Sequence, residues 1–120
     1  YVVPLSFGFE VVDGTVLTYI HGARGGLKHD LIARDPRVCV EADLCHGFIE
    51  VHDGITTLYE SLIGFGLAEE VQGADKARGL DLLLEHCGFP GYACNAAMTA
   101  MTAVYRITLR RLTGKRNPAP

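Results

Sequence analysis

The chain has 120 residues and a formal net charge of −3, with 48% hydrophobic and 21% charged residues, which is typical of a small globular protein. This balance offers no basic patch for nucleic acid, and no apolar run approaches the ~20 residues of a membrane span. No secretory signal is visible, so we expect a cytoplasmic protein whose 4 cysteines are reduced.

The cysteines also bear on metal binding. Two of them stand next to a histidine, in Cys45-His46 and His86-Cys87. Their spacing matches no zinc pattern, and no C-x-x-C pair occurs. We therefore expect buried thiols beside surface histidines and no metal site. Because no linker or repeat divides the chain, residues 1–120 are expected to form a single domain.

Residues 1–21 predict a β-hairpin. Apolar residues occupy the odd positions from Tyr1 to Val11, and this period of two indicates a strand over Tyr1–Val12 with one fully apolar face. Asp13-Gly14 supplies the positive φ angles of a type I′ turn, and Thr15–His21 returns as the second strand.

A short helix and a third strand follow the hairpin. The spacing of the leucines and isoleucine predicts a helix over Leu27–Arg34, ended by Asp35-Pro36. Arg37–Asp43 is predicted as the next strand. Residues 44–58 fit either a loop or a hairpin tip around Asp53-Gly54.

The alternation over Tyr59–Gln72 predicts a long strand with Gly64 and Gly66 on one face. Glycines inside a strand are typical of sharp curvature or of close approach by another backbone. Asp75 is predicted to N-cap a helix that Gly88 and Pro90 end. The apolar stripe of that helix is Leu80, Leu83, Leu84 and Cys87.

The C-terminal part predicts one more strand. Phe89–Thr102 is a connection rich in small residues, and Ala103–Leu112 is the last strand, with Tyr105 and Ile107 on its apolar face. The polar residues 113–120 are expected to fray. The pattern predicts a mainly β protein with five or six mostly antiparallel strands and two short helices. A small closed or split β-barrel is the economical arrangement for such elements.

The candidate site is the segment His21–Lys28, which we call the anion cradle. Arg24 and Lys28 supply positive charges, His21 can donate a hydrogen bond, and the predicted helix offers free N–H groups at its start. The glycines match neither a P-loop nor a dinucleotide fingerprint. A solvated glycine-rich loop explains the same residues equally well.

The sequence gives little support for nucleophilic or acid–base catalysis by side chains. No Ser-His-Asp, Cys-His or paired-carboxylate set can be assigned. Redox chemistry by a bound cofactor needs fewer protein groups, because the cofactor performs the reaction. A chain that offers an anion cradle and no nucleophile fits that arrangement.

An ordered series of motifs resembles the pyridoxamine 5′-phosphate oxidase-like flavin-binding split barrels, in the branch with the 5-nitroimidazole resistance proteins. The motifs are Val3-Pro4-Leu5-Ser6-Phe7-Gly8-Phe9, Tyr19-Ile20-His21-Gly22-Ala23, Gly26-Leu27-Lys28, Asp35-Pro36-Arg37-Val38, Tyr59 through Gly66, and Leu112-Thr113-Gly114-Lys115. Each motif is weak alone, and their order over nearly the whole chain is specific. The family's usual first helix and strand would precede Tyr1.

The resemblance implies an FMN-binding homodimer with the flavin at the subunit interface. It places Lys28 on the phosphate, His21 near substrate or phosphate as the catalytic residue, and Ser61 at a polar flavin contact. Leu27 departs from the family, whose oxidases often have arginine there. The other residues it implies in cofactor binding are Val3, Pro4, Leu5, Ser6 and Phe7 beside the ring, and Tyr19 and Ile20 near the ribityl chain and phosphate.

The implied activity is an oxidoreductase that reduces a small acceptor such as a nitroimidazole. A true pyridoxamine phosphate oxidase is not favoured, because the C-terminal segment that helps bind the substrate phosphate has no counterpart here. Two alternatives stay open. One is a non-catalytic protein that binds flavin, deazaflavin or haem on the same barrel, and the other is an interaction module without a cofactor.

Overall fold

A five-stranded antiparallel sheet dominates the computed structural model, which describes residues 1–120. The strand order is β1-β2-β5-β4-β3, which leaves β1 and β3 as the two edges. The elements are β1 (Gly8–Val12), β2 (Thr15–Ala23), α1 (Leu27–Arg34), β3 (Arg37–Val51), β4 (Gly54–Val71), α2 (Gly73–His86), α3 (Ala96–Ala100) and β5 (Thr102–Asn117). The predicted mainly β architecture is confirmed, with three helices instead of two. None of these helices is long and apolar enough to cross a membrane.

The predicted N-terminal strand is wrong over its first seven residues. The ladder between β1 and β2 begins at Gly8, opposite Tyr19, and residues 1–7 pair with no strand in the chain. The predicted turn is confirmed, since Asp13 and Gly14 have φ angles of 50° and 79°. The apolar face of β1 is also not its buried one, because Phe9 is 48% exposed whereas Gly8 is buried.

Gly8 is buried because α2 packs directly on the opposite face of β1. A Cβ at this position would lie 2.4 Å from the carbonyl carbon of Leu82 and 2.5 Å from the nitrogen of Leu83. Only glycine allows the helix backbone to approach the strand so closely. The alternation of large apolar residues therefore predicted a strand but did not show which face the helix covers.

The segment left open at residues 44–58 forms the tip of a long hairpin. β3 continues to Val51, the chain turns at His52 and Asp53, and β4 begins at Gly54. A bulge interrupts the ladder between Cys45 and Gly47. This hairpin gives the molecule its elongated dimensions of 56 × 33 × 31 Å.

The predicted fraying of residues 113–120 is wrong for most of that segment. β5 runs on to Asn117, and its end pairs with the first half of β4, with Asn117 opposite Tyr59. The Asn117 side chain donates hydrogen bonds to Thr56 Oγ1 at 3.1 Å and to the Thr57 carbonyl at 2.7 Å. Ladder pairing holds this polar segment in place.

Two hydrophobic clusters lie on opposite sides of the sheet. One contains Ile20 and Tyr105, with Ile32 of α1 packed against it. The other contains Tyr19 and Val104 together with Leu82 and Leu83 of α2. Because neighbouring strand residues point to opposite faces, β2 and β5 each supply both clusters.

The start of α2 differs from the prediction. Its N-cap is Gln72, and no side chain caps the helix. Asp75 lies in the first turn instead, and its carboxylate is 3.4 Å from the guanidinium of Arg106 on β5. The predicted end of this helix is confirmed, because Cys87 is the C-cap and Gly88 has a φ of 91°.

The thiols do not have the predicted burial. Cys39, Cys45, Cys87 and Cys94 are all free and exposed. His46 and Glu60 approach each other to 3.2 Å near Cys45. No group of three or more His, Cys, Asp or Glu side chains is arranged to hold a metal ion.

The turn after α1 predicts a measurable pH effect. Asp35 accepts hydrogen bonds from the Arg37 guanidinium and backbone N–H, which lower the pKa of its carboxyl to about 2. A depressed folded-state pKa stabilises the fold above the unfolded value of about 3.9, and this contribution is lost as pH falls towards 2. We expect Arg37→Ala to move the Asp35 midpoint towards 3.8 in a carboxyl NMR titration. Arg37→Lys should move it less, and an unchanged midpoint in Arg37→Ala would contradict the assigned cause.

Candidate functional site

The end of β2 places its two candidate residues on opposite faces of the sheet. The missing Cβ of Gly22 makes room for Lys28, whose Nζ lies 2.6 Å from where that Cβ would be. Since successive strand side chains point to opposite faces, the His21 imidazole points away from the Lys28 ammonium. Lys28 contacts His21 only through the main chain, where Nζ donates to the carbonyl at 3.1 Å. The anion cradle is therefore divided by the strand, which corrects the predicted single cluster.

The start of α1 is the second feature of the sheet face on which the Lys28 ammonium lies. Gly25 and Gly26 precede the helix with φ angles of 122° and 101°, and no side chain caps it. The N–H of Asp30 donates to the Gly26 carbonyl, so the N–H groups of residues 27–29 have no partner within the helix. These N–H groups, the helix dipole and the Lys28 ammonium all favour an anion at this end of α1, and the carboxylate of Asp30 in the first turn opposes one.

Arg24, the other predicted cation, contributes less positive charge to this site than Lys28. The Arg24 guanidinium lies 3.9 Å from a carboxylate oxygen of Glu70, so an acid already balances part of its charge. Leu27, at the first position of α1, is 57% exposed and offers no polar contact. Lys28 is the cation that this site depends on.

A histidine–tyrosine pair beside Lys28 was missed by the sequence reasoning. The Tyr105 hydroxyl and His29 Nδ1 form a short hydrogen bond between β5 and α1. Burial raises the pKa of Tyr105, and Glu70 and Asp30 raise it further, so the hydroxyl keeps its proton at neutral pH. The imidazole tautomer decides which of the two groups donates in this bond. The bond anchors α1 at the residue next to Lys28. Because 76 positions separate the partners, no local pattern could have indicated the pair.

The His21 face opens into a cavity of about 280 Å³ between the end of β2, α2 and α3. Ser6 and His21 both line this cavity, so two predicted site residues do meet. The next residue, Phe7, packs against His86 of α2, with the two ring centroids 4.4 Å apart. Val3, Pro4 and Leu5 lie in the exposed N-terminal segment that pairs with no strand.

Tyr19 and Ile20 have different surroundings from those the resemblance implied. Tyr19 is 1% and Ile20 8% exposed, and each belongs to one of the hydrophobic clusters. Burial raises the pKa of Tyr19, and its hydroxyl lies 3.5 Å from Glu10 Oε1. Both side chains are committed to the core, so any ligand contact they make has to use the main chain.

Ser61 lies far from the other predicted residues. It pairs with Lys115 on β5, whereas His21 pairs with Val104. These positions are separated by roughly 35 Å at about 3.3 Å per strand residue. Ser61 instead lines a polar cavity of about 300 Å³, together with Lys115 and Arg116. One small ligand cannot contact both Ser61 and Lys28 of the same chain.

The antiparallel sheet with its three helices is a split β-barrel. The chain belongs to the pyridoxamine 5′-phosphate oxidase family, whose model matches residues 1–116. The predicted resemblance is confirmed at this level. No curated protein matches the chain.

Solved structures share this fold. A proposed 5-nitroimidazole antibiotic resistance protein from Bacteroides thetaiotaomicron VPI-5482 matches with a TM-score of 0.82 and 25% identity, over 95% of this chain and 67% of that one. A flavocytochrome from Azotobacter vinelandii matches with a TM-score of 0.72 and 20% identity, over 98% of this chain and 63% of that one. An FAD- and haem-binding protein from Mycobacterium smegmatis matches with a TM-score of 0.72 and 18% identity, over 96% of this chain and 67% of that one.

Proposed function

We propose that this chain is an FMN-binding flavoprotein and an oxidoreductase that reduces a small acceptor such as a nitroimidazole. The observation that carries the proposal is the start of α1, where Lys28 lies beside three N–H groups that have no partner within the helix. Membership of the pyridoxamine 5′-phosphate oxidase family supports a phosphate-bearing cofactor at such a site. The four free thiols fit the reducing environment of the cytoplasm.

The residues present fit the phosphate group of FMN. Lys28 Nζ uses one of its three protons on the His21 carbonyl, so two remain for phosphate oxygens. The free N–H groups of residues 27–29 add neutral donors in the orientation that anions favour at helix starts. A Cβ at Gly25 or Gly26 would meet nothing within 4 Å, so a ligand has open space beside the helix.

We further propose that the flavin binds between two copies of this chain. Ser61 and Lys28 are too far apart to hold one flavin within a single chain. In a two-fold dimer, the Ser61 end of one copy can meet the Lys28 end of its partner. The apolar face of β4 supports an interface there, since Ile63, Phe65 and Leu67 are 44%, 43% and 36% exposed.

When bound, the flavin would carry two electrons from a nicotinamide donor to the acceptor. For a nitro compound, one nitro group, one NADH and one proton give a nitroso group, NAD⁺ and water. His21 would contribute from the cavity face, where its imidazole can donate a hydrogen bond to an acceptor oxygen.

A non-catalytic binding protein is the second candidate. Its support is that proteins sharing this fold are named for binding FAD and haem, or as a flavocytochrome. This candidate predicts stable uptake of flavin, deazaflavin or haem without turnover.

The test is the visible spectrum of the purified chain after incubation with FMN, FAD or haemin. We expect retention of FMN through gel filtration with absorbance near roughly 450 nm, bleaching by NADH without oxygen, and recovery when a nitroimidazole is added. A Soret band with no retained flavin would favour the haem-binding candidate. Retained flavin that neither NADH nor nitroimidazole changes would favour non-catalytic binding. A colourless chain after all three incubations would refute the proposed function.

A further inference from the structure

The cavity on the His21 face has a lining that differs from the Lys28 face. Six of its ten lining residues are apolar, counting the two cysteines. Leu84, Cys87, Cys94 and Met98 form its apolar walls, and Ser6 and His21 form part of its polar rim. Two threonines, at positions 99 and 102, complete the polar groups.

No Asp, Glu, Lys or Arg side chain lines this cavity. An ionised ligand entering it would lose water and gain no opposite charge in return, which opposes binding. Hydroxyl and imidazole groups can still hydrogen-bond the oxygen or nitrogen of an uncharged molecule. The polar cavity at Ser61 differs, because three charged side chains, Glu60, Lys115 and Arg116, line it.

The size of the cavity limits the ligand further. A volume of about 280 Å³ lies just below the range of about 300–1,000 Å³ found for small-molecule sites. A substituted single aromatic ring fits such a volume, and Leu84 and Met98 are among the apolar side chains that it could contact. Strand β2 separates this cavity from Lys28, so a ligand here and an anion at α1 need not compete.

We propose that this cavity binds an uncharged, single-ring molecule, with His21 as its principal hydrogen-bond donor. The description of this molecule as the electron acceptor rests on the proposed flavin function, whereas its binding does not. The site selects against carboxylate- and phosphate-bearing molecules, including phosphorylated pyridoxine derivatives.

The two cavity thiols provide the test. The purified chain is treated with a maleimide in the presence of p-nitrobenzyl alcohol or p-nitrobenzoate, which have similar size and differ in charge. At ten times its dissociation constant, the alcohol should slow labelling of Cys87 and Cys94 about tenfold, as followed by peptide mass spectrometry. Cys39 and Cys45, on β3, are the internal controls and should label at an unchanged rate.

A charge substitution tests the selectivity. Met98 is 65% exposed and lines the cavity, whereas Met101 is 69% exposed and does not, so both can carry a lysine without loss of the fold. Met98→Lys should raise the affinity for p-nitrobenzoate about fivefold and lower that for the alcohol, as measured by thiol protection. Met101→Lys should change neither affinity.

Three results of the protection experiment would overturn the proposal. They are equal protection by both compounds, protection of all four thiols, and no protection by either compound. Slow labelling without ligand that depends on protein concentration would show that a second copy covers the cavity, which also overturns it. Thiol protection does not require FMN, so it can succeed or fail independently of the spectral test of the flavin.

Discussion

Lys28→Gln is expected to lower the affinity of the chain for FMN by about 10- to 100-fold and to leave its affinity for riboflavin unchanged. Hydrogen bonds to charged groups contribute about 1.5–3 kcal/mol each, which corresponds to this range. Glutamine keeps most of the length and the hydrogen-bonding capacity of lysine but removes the charge. Riboflavin lacks the phosphate, so it reports on every other flavin contact. Fluorescence quenching of both flavins measures the two affinities.

The matched control for this substitution is Lys76→Gln on α2, which should bind FMN as the unmodified chain does. Lys76 is half-buried, as Lys28 is, but it lies on another element of the fold. The salt dependence provides a second check, because an exposed charge interaction weakens as ionic strength rises. Equal loss of FMN and riboflavin affinity in Lys28→Gln would show that the lysine supports the fold and not the phosphate. No loss of either affinity would remove Lys28 from the site.

The position of Lys28 was predictable, whereas its relation to His21 was not. The glycine-rich break, the start of α1 at Leu27 and its end before Pro36 all follow from local chemistry. Grouping His21 with Lys28 assumed that closeness in sequence gives closeness of side chains. The strand reaches past His21 to Ala23, so the alternation of side chains continues through this segment and separates the two groups.

The sequence also did not predict which face of a long strand is buried. In β4 the large apolar residues Ile63 and Phe65 remain exposed, while Gly64 and Gly66 are buried. Period-two alternation predicts the strand but not which of its faces is buried. A neighbouring backbone can approach a glycine more closely than it can approach a residue with a side chain, so the glycine face can be the buried one. Apolar residues on the open face are what an interface with a second copy would need.

Contacts between residues far apart in the sequence account for the remaining differences between the predicted and the observed structure. Residues 113–117 have a polar, coil-like composition, yet they form ladder pairs with β4. The His29–Tyr105 bond likewise depends on α1 packing against β5, which no window of sequence contains. The Asp35–Arg37 contact lies within three residues of chain, so such a local feature is open to prediction.

Gly66→Ala is expected to cause the largest loss of stability of any substitution considered, about 3 kcal/mol or more of the free energy of unfolding. A Cβ at this position would lie 2.1 Å from the Thr108 carbonyl oxygen and 3.1 Å from Leu109 Cα, both in the backbone of the central strand β5. Neither atom can move without breaking the ladder next to the register shift between Phe65 and Gly66. Since small domains are stable by only about 5–15 kcal/mol, a loss of this size should lower the urea midpoint markedly.

Gly114→Ala is the matched control, because Gly114 is also a strand glycine and a Cβ there would meet only the Ser61 carbonyl oxygen, at an ordinary 3.6 Å. We expect its free energy of unfolding to lie within about 0.5 kcal/mol of the unmodified chain. Urea unfolding followed by circular dichroism compares the three proteins. If Gly66→Ala and Gly114→Ala unfold at the same midpoint, β4 and β5 do not approach as closely as the geometry at Gly66 requires. If only Gly66→Ala is destabilised, the close contact of these two backbones is what excludes every larger residue from position 66.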